Sequence, residues 1–395
     1  MIFKFEERML KWMNEHILAL AFAAAVILSI AIRYFLRNFY TTDADLCLIP
    51  WYNAIKDNGG LLGLGKPVEG LNYSFTYQLL IALMTYLPIE PLYAYKILSC
   101  IFDYLLAGAV AYLVYDIVDN NKLEKTLLSF IMVSCSPVVL MDSAAWAQCD
   151  SIYTFWVVLS IIFLRKEKYI PAFIYYGVGF AFKFQSVFAL PFFLFYYFYK
   201  RKFSVLHFGL IPVTMTVLAL PSLVQGRTIS EMIHIYTDNT SLHTSISNGF
   251  PTFWRLLNDG TGAEGYTFLK YAAMALTVVI LGSFMYMWIR NNINLNNVNI
   301  ILIAFILTYS TITFLPAMHE RYGFIFEILA IVIVFIEIKT IPLLIGITCL
   351  SLTTYGVYLF NNTVNEWFLA VINFVFYVSY MIILNKTLIK HSSSN

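Results

Sequence analysis

The sequence predicts an all-α integral membrane protein with about twelve transmembrane helices, and three observations carry that prediction. Of its 395 residues, 60% are hydrophobic and only 12% are charged. The apolar residues recur in runs near the roughly 20 residues a helix needs to cross a bilayer core of about 30 Å. The lysines and arginines gather in every second connection between those runs, the pattern left when positive charge is retained on the cytoplasmic side. The first two exclude a soluble core and make the lipid bilayer the surroundings of the chain. A formal net charge of only +2, without a basic stripe, excludes nucleic acid as a partner.

Residues 1–16, MIFKFEERMLKWMNEH, space their apolar side chains along one helical face and carry Lys4, Arg8 and Lys11. They predict a helix lying on the cytoplasmic surface rather than a cleavable signal peptide. The first span covers about 17–37 and leads into a polar outer loop, 38–91, expected to contain amphipathic helices. Further spans are expected at about 92–115, 126–142, 151–164, 169–184, 186–199 and 203–220, the fifth and sixth being short. A long outer loop, 221–265, follows; spans at 266–289 and 299–315 come next, and three more finish near 338, 360 and 385, before a tail at 391–395. The stretch 75–88 is apolar, but its fourteen residues would reach only about 21 Å as a helix, so an interfacial or re-entrant segment fits better. Five cysteines are scattered singly with no zinc spacing; Cys47 and Cys149 share the outer side, which leaves a disulfide open.

In this register the unusual polar residues fall on the outer side, as single ionisable side chains among Trp, Tyr, Phe and Pro: Asp43, Asp45, Asp150, Lys183, Arg255, and the row His319, Glu320 and Arg321. That is the composition of a structured pocket wall. Each residue has a plainer role to set beside this one. Asp43, Asp45 and Asp150 can cap helices, with Ser151 competing for the last cap. Lys183 can snorkel, although Gln185 beside it and the short spans favour irregular backbone lining a cavity. Arg255 can be a rim residue, and Lys96 and Asp103, seven residues apart, can serve helix packing. The row at 319–321 is an expensive place for three ionisable groups between two spans, which favours function. Carboxylates and cations at headgroup depth suit one chemistry in particular: a base takes a proton from an acceptor hydroxyl while cations neutralise a departing lipid phosphate.

The ordered stretches TTDADLCLIPWYNAIKDNGG, LNYSFTYQLL, YKILSCIFDYLLAGAVAYLVY, AWAQCDSIY, AFKFQSVFALP, FPTFWRLL and MHERYGF resemble the multispanning GT-C glycosyltransferases. Within them the likeness is to a bacterial branch related to the mannosyltransferases of glycosylphosphatidylinositol synthesis and to the dolichyl-phosphate-glucose-dependent glucosyltransferases. It covers about 40–325 and implies a GT-C catalytic module at 17–325 with further helices at 326–390. It implies inverting transfer of a hexose such as mannose or glucose from a polyprenyl-phosphate sugar donor to a glycan acceptor outside the cytoplasmic membrane, with both termini cytoplasmic. The Asn, Lys and Ile content suits a bacterium. By this resemblance Asp43 is the candidate base; Asp45, Trp146, Gln148 and Asp150 shape the acceptor or sugar site; and Lys183, Gln185, Arg255, His319, Glu320 and Arg321 serve the donor.

The chain departs from the family at Trp146-Ala147-Gln148, where Trp-Gly-Gln is usual, a one-methyl change, and at Pro251-Thr252, where Asn precedes Phe-Trp. No cofactor is expected, because Arg and Lys can neutralise a monophosphate; Asp43-Ala44-Asp45 keeps a divalent metal open, as related oligosaccharyltransferases use one. A transporter or flippase of lipid-linked sugars is the alternative from another class, although no repeated half is visible. A membrane glycan polymerase or ligase is a third reading, with the same substrate and side.

Overall fold

The computed structural model describes residues 3–241, 245–257 and 265–393, and every regular element in them is helical. In chain order these are α1 (Lys4–Glu15), α2 (Ile17–Leu36), α3 (Ile49–Asp57), α4 (Phe75–Met84), α5 (Pro91–Ile117), α6 (Lys122–Ser134), α7 (Pro137–Leu140) and α8 (Asp150–Arg165). They continue as α9 (Tyr169–Phe182), α10 (Leu190–Lys200), α11 (Leu210–Leu223), α12 (Ile229–Ser241), α13 (Tyr266–Arg290), α14 (Asn297–Phe314), α15 (Phe324–Ile336), α16 (Ile341–Phe360) and α17 (Glu366–Ser393). Among the described residues, pairing of extended backbone is confined to isolated bridges from Asn248 and Gly249 to His319.

Among the described residues, seven helices are long and apolar enough to cross a membrane, and an eighth span is added if α6 and Pro137–Ala145, bent by 41°, count as one. These lengths alone do not give twelve crossings. The helices α8, α9, α10 and α15 have 16, 14, 11 and 13 residues, so at about 1.5 Å per residue each falls short of a bilayer core of about 30 Å. Protein, not lipid, surrounds the most central of them: α15 is buried continuously from Phe324 to Val334. Its neighbour α14 is buried from Asn299 to Phe314, which explains its lack of a polar stripe, since a helix apolar all round belongs inside a bundle or a bilayer. The long α13, by contrast, leaves Phe268, Tyr271, Val278, Val279 and Tyr286 exposed.

The connections form two ends. At one, Arg165 pairs with Asp116 and donates to the Asn297 carbonyl, Lys202 pairs with Glu167, and Asn296 donates to the His391 carbonyl. The candidate residues gather at the other. The 16-residue α8 runs from Asp150 at that end to Arg165 at the basic end, a distance of about 24 Å. The helix α1 lies outside the bundle with no buried side chain.

Two local features shape the candidate-site end. Pro137 lacks an amide hydrogen and disfavours helical backbone before it, so the helix breaks after Ser134 and restarts in a new direction. A wide π-type turn, Met141–Ala145, then delivers Trp146. Lys96 in α5 donates to the carbonyls of Leu36, Arg37 and Phe39, which ties off the orphan carbonyls at the end of α2 just before Asp43.

Candidate active site

Five stretches far apart in the chain meet here. Asp43 follows α2, and its side chain does not cap the turn that begins after it; Thr41 Oγ1 accepts the Ala44 amide hydrogen instead. Asp43 Oδ2 accepts from Trp146 Nε1 at 2.8 Å and Gln148 Nε2 at 3.0 Å, and Oδ1 accepts from the Tyr358 hydroxyl at 2.5 Å. Asp150 opens α8 without capping it. Lys183 Nζ donates to both its oxygens, at 2.8 and 2.9 Å. Arg321 lies between the two acids, 3.9 Å from Asp43 Oδ2 and 3.5 Å from Asp150 Oδ2, with its guanidinium carbon 5.1 Å from the centroid of the Trp146 ring. Trp146 thus serves twice, as a donor to the acid and as a π face for the cation.

The two cations are held differently. The bonds of Lys183 have the length of strong charge-assisted hydrogen bonds, and Asp150 is completely buried, so this pair is committed to itself. The contacts of Arg321 are long, its closest carboxylate being Glu320 Oε1 at 3.4 Å, and its buried Nε has no hydrogen-bond partner among the described residues. Burial works against its charge, but the carboxylates of Glu320 and Asp150 outweigh burial and raise its pKa above the ordinary arginine value. Arg321 is therefore a charged group with donor capacity to spare. The sequence placed Lys183 beside a donor phosphate; the geometry makes it first the counterion of Asp150.

The remaining candidates lie around this core. Glu320 is buried beside Arg321, and His319 Nδ1 is 3.7 Å from Glu320 Oε2. The strip 245–250 of the long loop covers them: Ala317 donates its amide to the Ile246 carbonyl, while Asn248 and Phe250 donate to the Met318 carbonyl. The side chain of Gln185 lies beside the hydroxyl of Tyr322, next to Arg321. Arg255 makes an ion pair with Glu366 at the start of α17. Asp45 is exposed and accepts from Tyr40 at 3.2 Å. Residues two apart on a helical turn face opposite ways, so the acids of Asp43-Ala44-Asp45 do not converge on one ion. No group of three or more His, Cys, Asp or Glu among the described residues is arranged to hold a metal, and the space between Asp43 and Asp150 is taken by the guanidinium. All five cysteines are free thiols, Cys47 and Cys149 included.

Several contributors escaped the sequence reading. Tyr358, near the end of α16, is the third donor to Asp43. Asp142 is completely buried in electrostatic reach of Asp150, Lys183 and Arg321, and its carboxylate accepts no hydrogen bond among the described residues; a lone acid in the apolar run before Trp146 was the signal available. Arg33 pairs with Asp103 at 2.8 Å, and Asp103 also accepts from Ser143 and Ser151, both at 2.5 Å. Those two serines bracket the loop that carries Trp146, Gln148 and Asp150, so Asp103 clamps both ends of it to α5. Finally, Ala147 has φ 62° and Ala317 φ 59°, left-handed backbone that alanine rarely adopts, one on each side of the site. The methyl group that separates this chain from Trp-Gly-Gln therefore carries a cost.

No protein-family model matches this chain, and no curated protein matches it.

Proposed function

We propose that the protein is an inverting GT-C-type glycosyltransferase that moves a hexose from a polyprenyl-phosphate donor to a hydroxyl of an extracytoplasmic glycan. One observation carries this reading: Asp43 and Asp150, more than a hundred residues apart, share a single loosely held arginine in one half-buried cluster. Asp43 is the group that takes the acceptor proton, because it retains some solvent access, whereas Asp150 is sealed and neutralised by Lys183. As the acceptor oxygen bonds to the anomeric carbon, the bond from that carbon to phosphate breaks and its electron pair leaves on the lipid phosphate. Arg321, charged and incompletely partnered, is placed to stabilise that anion. The acceptor oxygen attacks the anomeric carbon from the face opposite the departing phosphate, hence inversion.

Sidedness rests on the basic end. Lys122, Lys125, Arg165, Lys166, Lys168, Lys200, Arg201 and Lys202 belong to connections remote from Asp43, and the positive-inside rule makes those connections cytoplasmic. The candidate site then opens outward in a bacterial cytoplasmic membrane, with the short helices completing twelve crossings. A transporter would be expected to hold its ionisable groups midway along the bundle, between related halves; here they collect at one end.

The test is incubation of the purified protein with a panel of short-chain polyprenyl-phosphate hexoses while free lipid phosphate is followed. Turnover with any member supports an enzyme. Binding and vesicle translocation of the same lipids without phosphate release would support a transporter instead.

A further inference from the structure

We infer that Tyr358 occupies the acceptor's place: its phenol sits on Asp43 where an acceptor hydroxyl must give up its proton, and productive binding requires the acceptor to displace it. This rests on Asp43 being the base, and it adds a subsite and an acceptor class to that reading.

The three donors to Asp43 are not equivalent. Trp146 and Gln148 reach Oδ2 from a buried loop, with 0% and 2% of their surfaces exposed, while Tyr358 reaches Oδ1 with 44% exposed. Freeing Oδ2 would mean withdrawing an indole and an amide from the packed interior and leaving both unsatisfied. Freeing Oδ1 needs only a swing of one ring, two residues before α16 ends at Phe360, where Asn361 turns the chain with φ 52°. A base must have its substrate's O–H within about 2.6–3.2 Å, and at Oδ1 that direction is filled by the phenol. Oδ1 is thus the reactive oxygen and Tyr358 its resting occupant.

The same ring marks what belongs there. Tyr358 stacks on Trp146, with centroids 4.8 Å apart and planes 23° from parallel. A molecule that replaced it would offer a hydroxyl to Oδ1 and a flat apolar face to the indole, whose π face favours the slightly positive edges of C–H bonds. A pyranose has both. In the exchange Tyr358 keeps its proton; the acceptor's passes to Oδ1 as its oxygen bonds the anomeric carbon.

Tyr358→Phe keeps the stack and removes the competing hydrogen bond, so it separates displacement from structural support. With a short-chain polyprenyl-phosphate hexose and a methyl pyranoside as acceptor, Tyr358→Phe should lower the acceptor KM about tenfold, the order expected when a competing charge-assisted bond is removed. Without acceptor, it should raise release of lipid phosphate to water by a similar factor, with the donor KM unchanged. Trp146→Phe, which loosens the buried grip on Oδ2, should lower kcat instead. A kcat that falls in Tyr358→Phe in step with Trp146→Phe, with acceptor KM unmoved, would show Tyr358 to be a third clamp and overturn the inference. Full turnover by Asp43→Asn would overturn the base reading itself, an outcome distinct from either.

Discussion

Two clusters of paired acids and bases, joined through the loop from Ser143 to Ser151, are finished to different degrees. In the Arg33–Asp103 pair both carboxylate oxygens accept bonds from buried donors, and Arg33 Nη1 also donates to the Ser134 carbonyl at 2.8 Å. In the cluster of Asp43, Asp150, Lys183 and Arg321, the arginine keeps an unused donor, Gln148 Oε1 is without a donor, and the adjacent Asp142 carboxylate is unsatisfied among the described residues. Each orphaned buried group costs about 1–3 kcal/mol, so a network left open is retained against a stability cost. The closed cluster holds the framework; the open one has capacity for a ligand.

That contrast can be broken by mutation, and the expected effects can be ranked. Asp103→Ala strands the buried Arg33 charge and should cost about 3–5 kcal/mol in unfolding free energy, whereas Arg33→Met with Asp103→Leu should recover much of it. Denaturant titration in detergent reads both. Arg321→Gln should do the reverse, cutting release of lipid phosphate by about 10²–10³-fold while shifting the unfolding midpoint less than Asp103→Ala does, because its contacts are long. Ala147→Gly removes left-handed strain and should add about 1–2 kcal/mol of stability, measured by the same titration. Asp45→Asn should leave turnover within about threefold of wild type, since a surface change away from such features is nearly neutral; a larger loss would bring Asp45 back into the site.

Much of the candidate site was legible because membrane chains use charge sparingly. Asp43, Asp150 and Arg321 stood out as single ionisable groups in aromatic runs, and the structure brings their side chains together. Asp43 and Asp45 could not be separated by composition; the helical turn separates them. Tyr358 was invisible, being one of 28 tyrosines at a helix end where tyrosine commonly marks the membrane interface. Arg33 drew no notice inside the first span, since its partner, 70 residues away, is set by tertiary packing. Helix count was the least legible property: α8, α9, α10 and α15 are short, and for α15, which protein encloses, a length criterion built for lipid-facing helices does not transfer.

The central claim is that Asp43 takes the acceptor proton. Asp43→Asn keeps the size of the side chain and an oxygen for Trp146 and Gln148, so folding and donor affinity should persist. Turnover of a short-chain polyprenyl-phosphate hexose should fall by at least about 10²–10⁴-fold, the usual contribution of a positioned base. Wild-type turnover in that variant, with donor bound as tightly as before, would contradict the account.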